Sequence, residues 1–305
     1  MASLRDIRKH IDAVKNIRQI TSAMKMVAAA RIRRAQTAML QARPFAKKVS
    51  HMVSDLYGEF LEEDMENSRL RGYFDKRERG PKCLVLVTAD KGLCGAFNAS
   101  LLKAAVAWIR ENQGEKIFVV AVGRKGLDFI RRLKGVDLEI SDQMIGIFPK
   151  VGYRHAKILG GHIRTLFLDT QLESVTVIYN EFKSMMSQKV VTKQLLPLSS
   201  FIQERIDQAR AKGNDISLNM ADFIFEPDKQ TLFNYLIPLH IDLQLFRILM
   251  ESQAAELAAR MTAMESASKN ASELISGLTL KMNKTRQSMI TTELTEIVSG
   301  AEALE

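Results

Sequence analysis

The last third of the chain carries the feature that most restricts its fold. Met250, Ala254, Leu257, Met261, Met264, Ser268, Ala271, Ile275, Leu278, Met282, Thr285 and Met289 follow one another in alternating steps of four and three residues. Only Ser268 and Thr285 among them are polar, and none is charged. That alternation, sustained over more than five heptads, marks a coiled-coil seam. At about 1.5 Å per residue the helix runs roughly 60 Å, longer than a small globular core needs, so a second long helix has to cover it.

The N-terminal segment supplies that partner. Leu4, Ile7, Ile11, Val14, Ile17, Thr21, Met24 and Ala28 form one stripe, continued by Ala35, Ala38, Ala42, Phe45, Val49, Met52 and Leu56. The steps from Ile11 to Val14 to Ile17 read as a stammer, and Arg31 interrupts the stripe. Pro44 lacks an N–H and crowds the preceding turn, which predicts a kink or a restart.

Between the two helices the composition changes. Cys83–Thr88, Lys116–Gly123 and Ser174–Tyr179 read as buried strands, with Lys189–Leu196 as a possible fourth. Phe97–Ile109, Lys125–Lys134 and Tyr153–Leu168 read as helices. Strands alternating with helices predict a parallel α/β sheet. The expected architecture is α/β: a long antiparallel coiled coil of N- and C-terminal helices flanking one α/β domain. The expected divisions are a helix over 1–57, a connector over 58–81, the α/β domain over 82–198, a second connector over 199–229 and a helix over 230–305.

Charge sharpens the search for a partner. The net charge is +9, but residues 1–48 hold twelve Lys/Arg against Asp6 and Asp12. Such a helix seeks an anionic partner: nucleic acid, lipid headgroups or an acidic protein surface. The cations are scattered around the helix without interleaved aromatic residues, which leaves a basic coiled-coil nucleic-acid binder as the alternative reading. No apolar run approaches the ~18–20 residues of a membrane span. The first residues carry no apolar signal core.

The loop Thr88-Ala-Asp-Lys-Gly-Leu-Cys-Gly-Ala-Phe-Asn98 follows the first strand and opens a helix, the usual nucleotide position in such a sheet. It has neither GxxxxGK[ST] nor GxGxxG, so a structural turn is the expected role, with no cofactor. Cys94 has no recognisable base among the five histidines, and catalysis by it is not expected. Beyond Met289, the tail Ile290-Thr-Thr-Glu-Leu-Thr-Glu-Ile-Val298 leaves the heptad register. It reads either as a frayed end or as a single helix that outruns its partner and enters an apolar socket.

Three stretches resemble signatures of ATP synthase gamma subunits. They are Ile17-Arg-Gln-Ile-Thr-Ser-Ala-Met-Lys-Met-Val-Ala-Ala-Ala30, the 88–98 loop, and Asn283-Lys-Thr-Arg-Gln-Ser-Met-Ile-Thr-Thr-Glu-Leu-Thr-Glu-Ile-Val-Ser-Gly-Ala301. The resemblance implies a Rossmann-like domain at the foot of the coiled coil and a non-catalytic rotor inside a ring of alpha and beta subunits. It implies docking on the epsilon subunit and on the c-ring of the membrane sector. It further implies one copy per complex, no nucleic acid, and a peripheral place on the cytoplasmic face of a bacterial inner membrane. By the same resemblance Met24, Arg8 and Lys9 face the beta lever, and Arg286 and Gln287 form a catch on beta. Ile290, Leu294, Ile297 and Val298 form the bearing tail, and Phe225, Glu226 and Asp228 reach the c-ring. Chloroplast relatives carry a dithiol insert, but Ile202–Phe223 here has no cysteine, so thiol switching is not expected.

Overall fold

The computed structural model describes residues 3–59, 70–148, 150–203, 226 and 228–302. The elements in chain order are α1 (Leu4–Glu59), a 3-10 turn (Arg71–Tyr73), β1 (Lys82–Val87), α2 (Phe97–Glu111), β2 (Ile117–Val122) and α3 (Arg124–Ile130). There follow β3 (Leu138–Met144), α4 (Tyr153–Asp169), β4 (Ser174–Phe182), β5 (Gln188–Leu196) and α5 (Lys229–Glu302). The chain falls into two units, one joining the stretch before Arg31 to the stretch after Ala259, the other running from Arg31 to Ala259.

The second unit is built on a five-stranded sheet in the order β3-β2-β1-β4-β5. The β1–β2, β1–β4 and β2–β3 pairs are parallel, and β4–β5 is antiparallel. The continuous apolar runs of β1 and β2 follow from burial on both faces. One face sends Cys83, Val85 and Val87 into a core with Leu159, Ile163 and Phe167 of α4, Val49 and Val53 of α1, and Phe233, Ile237 and Ile241 of α5. The other sends Leu84, Leu86 and Val119 against Phe97, Leu101 and Ile109 of α2.

Two strands depart from the sequence reading. β3 was not foreseen, because it is an edge strand containing Glu139, Ser141, Asp142 and Gln143 and is only half buried. β5 exists but runs antiparallel, since Lys183–Ser187 leaves too few residues for a parallel crossover.

The helices run antiparallel in this unit. Ile32 and Ala35 of α1 pack with Ala254, Leu257 and Ala258 of α5, while Ser50, further along α1, hydrogen-bonds His240 and Gln244, earlier in α5. In the first unit, Ile7, Ile11, Val14, Thr21 and Ala28 of α1 are buried, as are Met264 and Ala271 of α5. There Lys25 pairs with Glu265 at 2.5 Å.

The stammer disappears in the folded helix. The buried set Ile7, Ile11, Val14, Thr21, Ala28, Ile32 and Ala35 keeps a regular four-three alternation, with Arg18 and Lys25 at the two remaining steps. Ile17, Ala38, Phe45 and Met52, read as stripe members, are exposed. Ile32 carries the seam past Arg31. α1 also continues through Pro44 without restarting. Pro44 sits on an exposed turn beside Leu40 and Phe45, where the carbonyl it leaves unbonded can reach water.

Hydroxyls along α5 turn back onto their own helix. Ser272, Ser276, Thr279, Thr291, Thr292 and Thr295 each donate to the carbonyl four residues earlier.

Candidate functional site

Two regions hold the residues singled out from the sequence. The first is the far end of the paired helices. Arg8 and Lys9 are exposed on α1, just over one turn from its start, and Arg286 and Gln287 are exposed on α5. With Lys25 facing Glu265 and the helices antiparallel, Leu4 falls level with Arg286. The structure therefore gathers Arg8, Lys9, Arg286 and Gln287 toward one end. Met24, half buried, lies about 24 Å further along α1 at 1.5 Å per residue and does not join them.

Coverage of α5 stops at the same level. Ile275, Leu278, Met282 and Thr285 are half buried, and from Arg286 to Gly300 every residue is exposed. The sequence reading placed this change after Met289. It comes one seam step earlier, because α1 starts at Leu4, level with Arg286, and Met289 is itself 46% exposed. Beyond it Ile290, Leu294, Ile297 and Val298 stand out as an uncovered apolar stripe.

At the start of α5, Glu226 and Asp228 are exposed, while Phe225 lies outside the described residues. Asp228 caps the helix. The Thr231 N–H donates to Oδ1 and the Thr231 hydroxyl to Oδ2, both at 2.7 Å. The Thr231 N–H, more than any other partner, holds this carboxyl below the usual carboxylate range.

The second region is the loop after β1. Asp90 Oδ1 accepts the N–H of Arg124 at 3.1 Å and of Gly146 at 3.0 Å, and Oδ2 accepts that of Phe148 at 3.3 Å. One carboxylate thus ties together the loops that follow β1, β2 and β3. Thr88 Oγ1 accepts the Gly126 N–H at 2.8 Å and donates to Val122 O at 3.2 Å. Gly123, at φ +91°, passes so close that a Cβ would lie 2.1 Å from Thr88 O. Asn98 completes the lock, accepting the Ala89 N–H at 3.0 Å and donating to Cys94 Sγ at 3.1 Å. The side chains of this signature are thus spent on the backbone of their own and the neighbouring loops. Cys94 and Cys83 are both buried, and burial pushes the Cys83 thiol up to about 12.

Sequence reasoning missed the role of Asp90, because its three partners lie far apart in the chain. It also passed over Leu93, which is 65% exposed and adopts φ +63°, a conformation unusual for a bulky residue. A third feature it missed is the buried Arg164–Asp242 ion pair linking α4 to α5. Arg164 also donates to Pro238 O at 3.2 Å.

Comparison with known proteins agrees along the whole chain. The ATP synthase family profile matches residues 3–304. The ATP synthase gamma chain of Elusimicrobium minutum is 47% identical over 309 aligned residues, covering 100% of this chain and 99% of that protein. That of Geotalea daltonii is 42% identical, with 100% of both covered. Among solved structures, the central stalk and c-ring of the Tetrahymena thermophila mitochondrial ATP synthase includes a chain 25% identical with TM-score 0.57, covering 82% of this chain and 99% of that one. A chain of the Euglena gracilis mitochondrial ATP synthase, 20% identical with TM-score 0.65 and covering 99% of this chain and 94% of that one, shares the fold.

Proposed function

The chain belongs to the gamma chains of ATP synthase, and from that premise we propose that it turns as the central-stalk rotor, coupling transmembrane proton flow to ATP synthesis or hydrolysis on other subunits. The observation that carries the reading is the end of coverage on α5 at Thr285, with an apolar stripe continuing in the open. A bare stripe on a polar helix wants a sleeve. A rotating part needs one that is apolar, because dispersion contacts change little with angle whereas directional bonds favour one orientation.

In this reading the chain performs no bond chemistry itself. Ile290, Leu294, Ile297 and Val298 run in a bearing formed by the alpha and beta subunits. Arg286 and Gln287, just below, form a catch on beta whose charge-assisted hydrogen bonds, worth about 1.5–3 kcal/mol each, hold one orientation and then release. Arg8, Lys9 and Met24 meet the beta lever. An asymmetric shaft presents different contacts to each catalytic subunit and so biases the three sites toward different affinities. The foot, with Phe225, Glu226 and Asp228, docks on the c-ring, and the epsilon subunit binds alongside.

One copy serves each complex, at the cytoplasmic face of a bacterial inner membrane. Among the described residues no helix is long and apolar enough to cross a membrane. The relatives give no support to nucleic-acid binding, and the basic α1 is read as facing acidic protein.

The test is a paired substitution in the assembled complex. Replacing Arg286 and Gln287 by Ala should slow turnover while the subunit stays in the complex. Removing the chain after Val298 should leave assembly and much of the activity intact. Wild-type turnover in the double variant would overturn the catch and leave only the bearing.

A further inference from the structure

The second unit contains a cavity of about 540 Å³, lined by α1, the β4–β5 pair and α5. That volume falls in the range of small-molecule sites. Its walls divide by chemistry. Phe182, Phe201 and Phe246, with Met39 and Met250, supply an apolar body. The charged lining is Arg43, Lys47, Lys193 and Arg247 against Glu181 and Glu251. Two of the cations are engaged, Lys193 with Gln244 Oε1 at 3.2 Å and Arg247 Nε with Glu251 Oε1 at 2.7 Å. Arg43 and Lys47, one turn apart on α1, pair with no carboxylate among the described residues, and both are exposed.

The second observation is Glu251. Its side chain is 8% exposed, and Oε2 is buried with no hydrogen-bond partner. A buried carboxylate oxygen left without a donor is costly. Burial chiefly, and the charge of Glu251 next, push the pKa of the neighbouring Tyr179 phenol up, and its hydroxyl, which keeps its proton, also turns toward the Glu251 carboxylate. The cavity therefore offers a hydrophobic body, two exposed cations without a carboxylate partner among the described residues, and one buried carboxylate oxygen with no donor within bonding distance.

We propose that this cavity binds a small amphiphilic organic anion. Its apolar or aromatic body lies against the phenylalanines. Its carboxylate or other anionic head is held by Arg43 and Lys47. One N–H or O–H of the ligand donates to Glu251 Oε2. This site is separate from the Arg286 and Gln287 end and from the tail, and it does not rest on the rotor reading.

Three fluorescent probes separate the three contacts, titrated into the purified full-length chain. Dansylglycine has the aromatic body, the carboxylate and a sulfonamide N–H. Dansylsarcosine keeps the carboxylate but has no N–H, and dansylamide keeps N–H groups but has no carboxylate. Dansylglycine should saturate a single site, and each of the other two should bind about fivefold to tenfold more weakly. The variant Arg43→Ser/Lys47→Ser changes only exposed positions. It should weaken dansylglycine about tenfold, down to the level of dansylamide, and leave dansylamide unchanged. Glu251→Met should abolish the preference for dansylglycine over dansylsarcosine. If that variant does not fold, the rim pair decides the question alone. Equal affinity for all three probes, no saturation by millimolar dansylglycine, or wild-type dansylglycine binding in Arg43→Ser/Lys47→Ser would each overturn the proposal.

Discussion

The substitution Gly160→Ala should destabilise the sheet domain far more than a surface glycine in a helix would. A Cβ built at Gly160 would lie 2.0 Å from Asp242 Oδ1 and 3.0 Å from Arg164 Nη1. The methyl group therefore has to displace the carboxylate that pairs with Arg164. The two side chains are 17% and 5% exposed, so neither charge can simply move into water. Breaking a buried pair costs about 3–5 kcal/mol, and alanine regains about 1 kcal/mol of helix propensity over glycine. The net loss is about 2–4 kcal/mol.

The one tryptophan, Trp108, lies in α2 against the same sheet and reports the transition by fluorescence. At a slope of roughly 2–3 kcal/mol per molar urea, the midpoint should fall by about 1 M. Burial already pushes the Asp242 carboxyl up, against the pull of Arg164. Freed from Arg164 it is pushed further, so its ionisation opposes folding and the deficit grows as pH rises through that value. Adding Asp242→Ala to Gly160→Ala makes room for the methyl group, so the double variant should be more stable than the sum of the single losses by at least about 1 kcal/mol. A Gly160→Ala midpoint at or above the wild-type value would show that the pair shifts aside intact, and the argument from close approach would fail.

Three other outcomes follow from the geometry. Asp90→Ala leaves three backbone N–H groups without their shared acceptor and should cost about 2–4 kcal/mol; hydrogen exchange should accelerate at Arg124, Gly146 and Phe148 together, and acceleration at one alone would contradict the three-loop clamp. The Asp228 carboxyl is held below its ordinary value by Thr231, so the cap stabilises α5 above the ordinary carboxylate range and is lost as pH falls through the lowered value; exchange of the Thr231 amide should show that profile in the wild type and lose it in Asp228→Ala. Cys83 and Cys94, both buried, should react with a thiol reagent only after unfolding, and rapid labelling of Cys83 in the native chain would conflict with its raised thiol.

Much of this was legible in the sequence where one physical signal dominates. The seam from Met250 onward is periodic, and β1 and β2 are continuous apolar runs buried on both faces. Signals failed where burial is partial. β3 mixes half-buried apolar residues with polar ones at a sheet edge and has no clean alternation, so no run announced it. Ile17 fits a local four-three step as well as Arg18 does, and only the partner helix decides which of them faces the seam. The basic residues and the tail stripe were readable as exposed features, because charge excess and lost register are local properties. Asp90, Gly160 and Glu251 were not, because their roles depend on groups brought in from distant segments.

The step at Thr285 also has a mechanical meaning. Before it two helices share a bending load, and after it one helix carries the load alone. Stiffness drops abruptly at such a change of section, so bending concentrates there. The hydroxyls of Thr291, Thr292 and Thr295, bonded back to their own helix, lie just past the step, where that kind of bond favours curvature. The thin end is therefore the section that bends most easily, able to follow the wall around it while the paired section behind it keeps its shape.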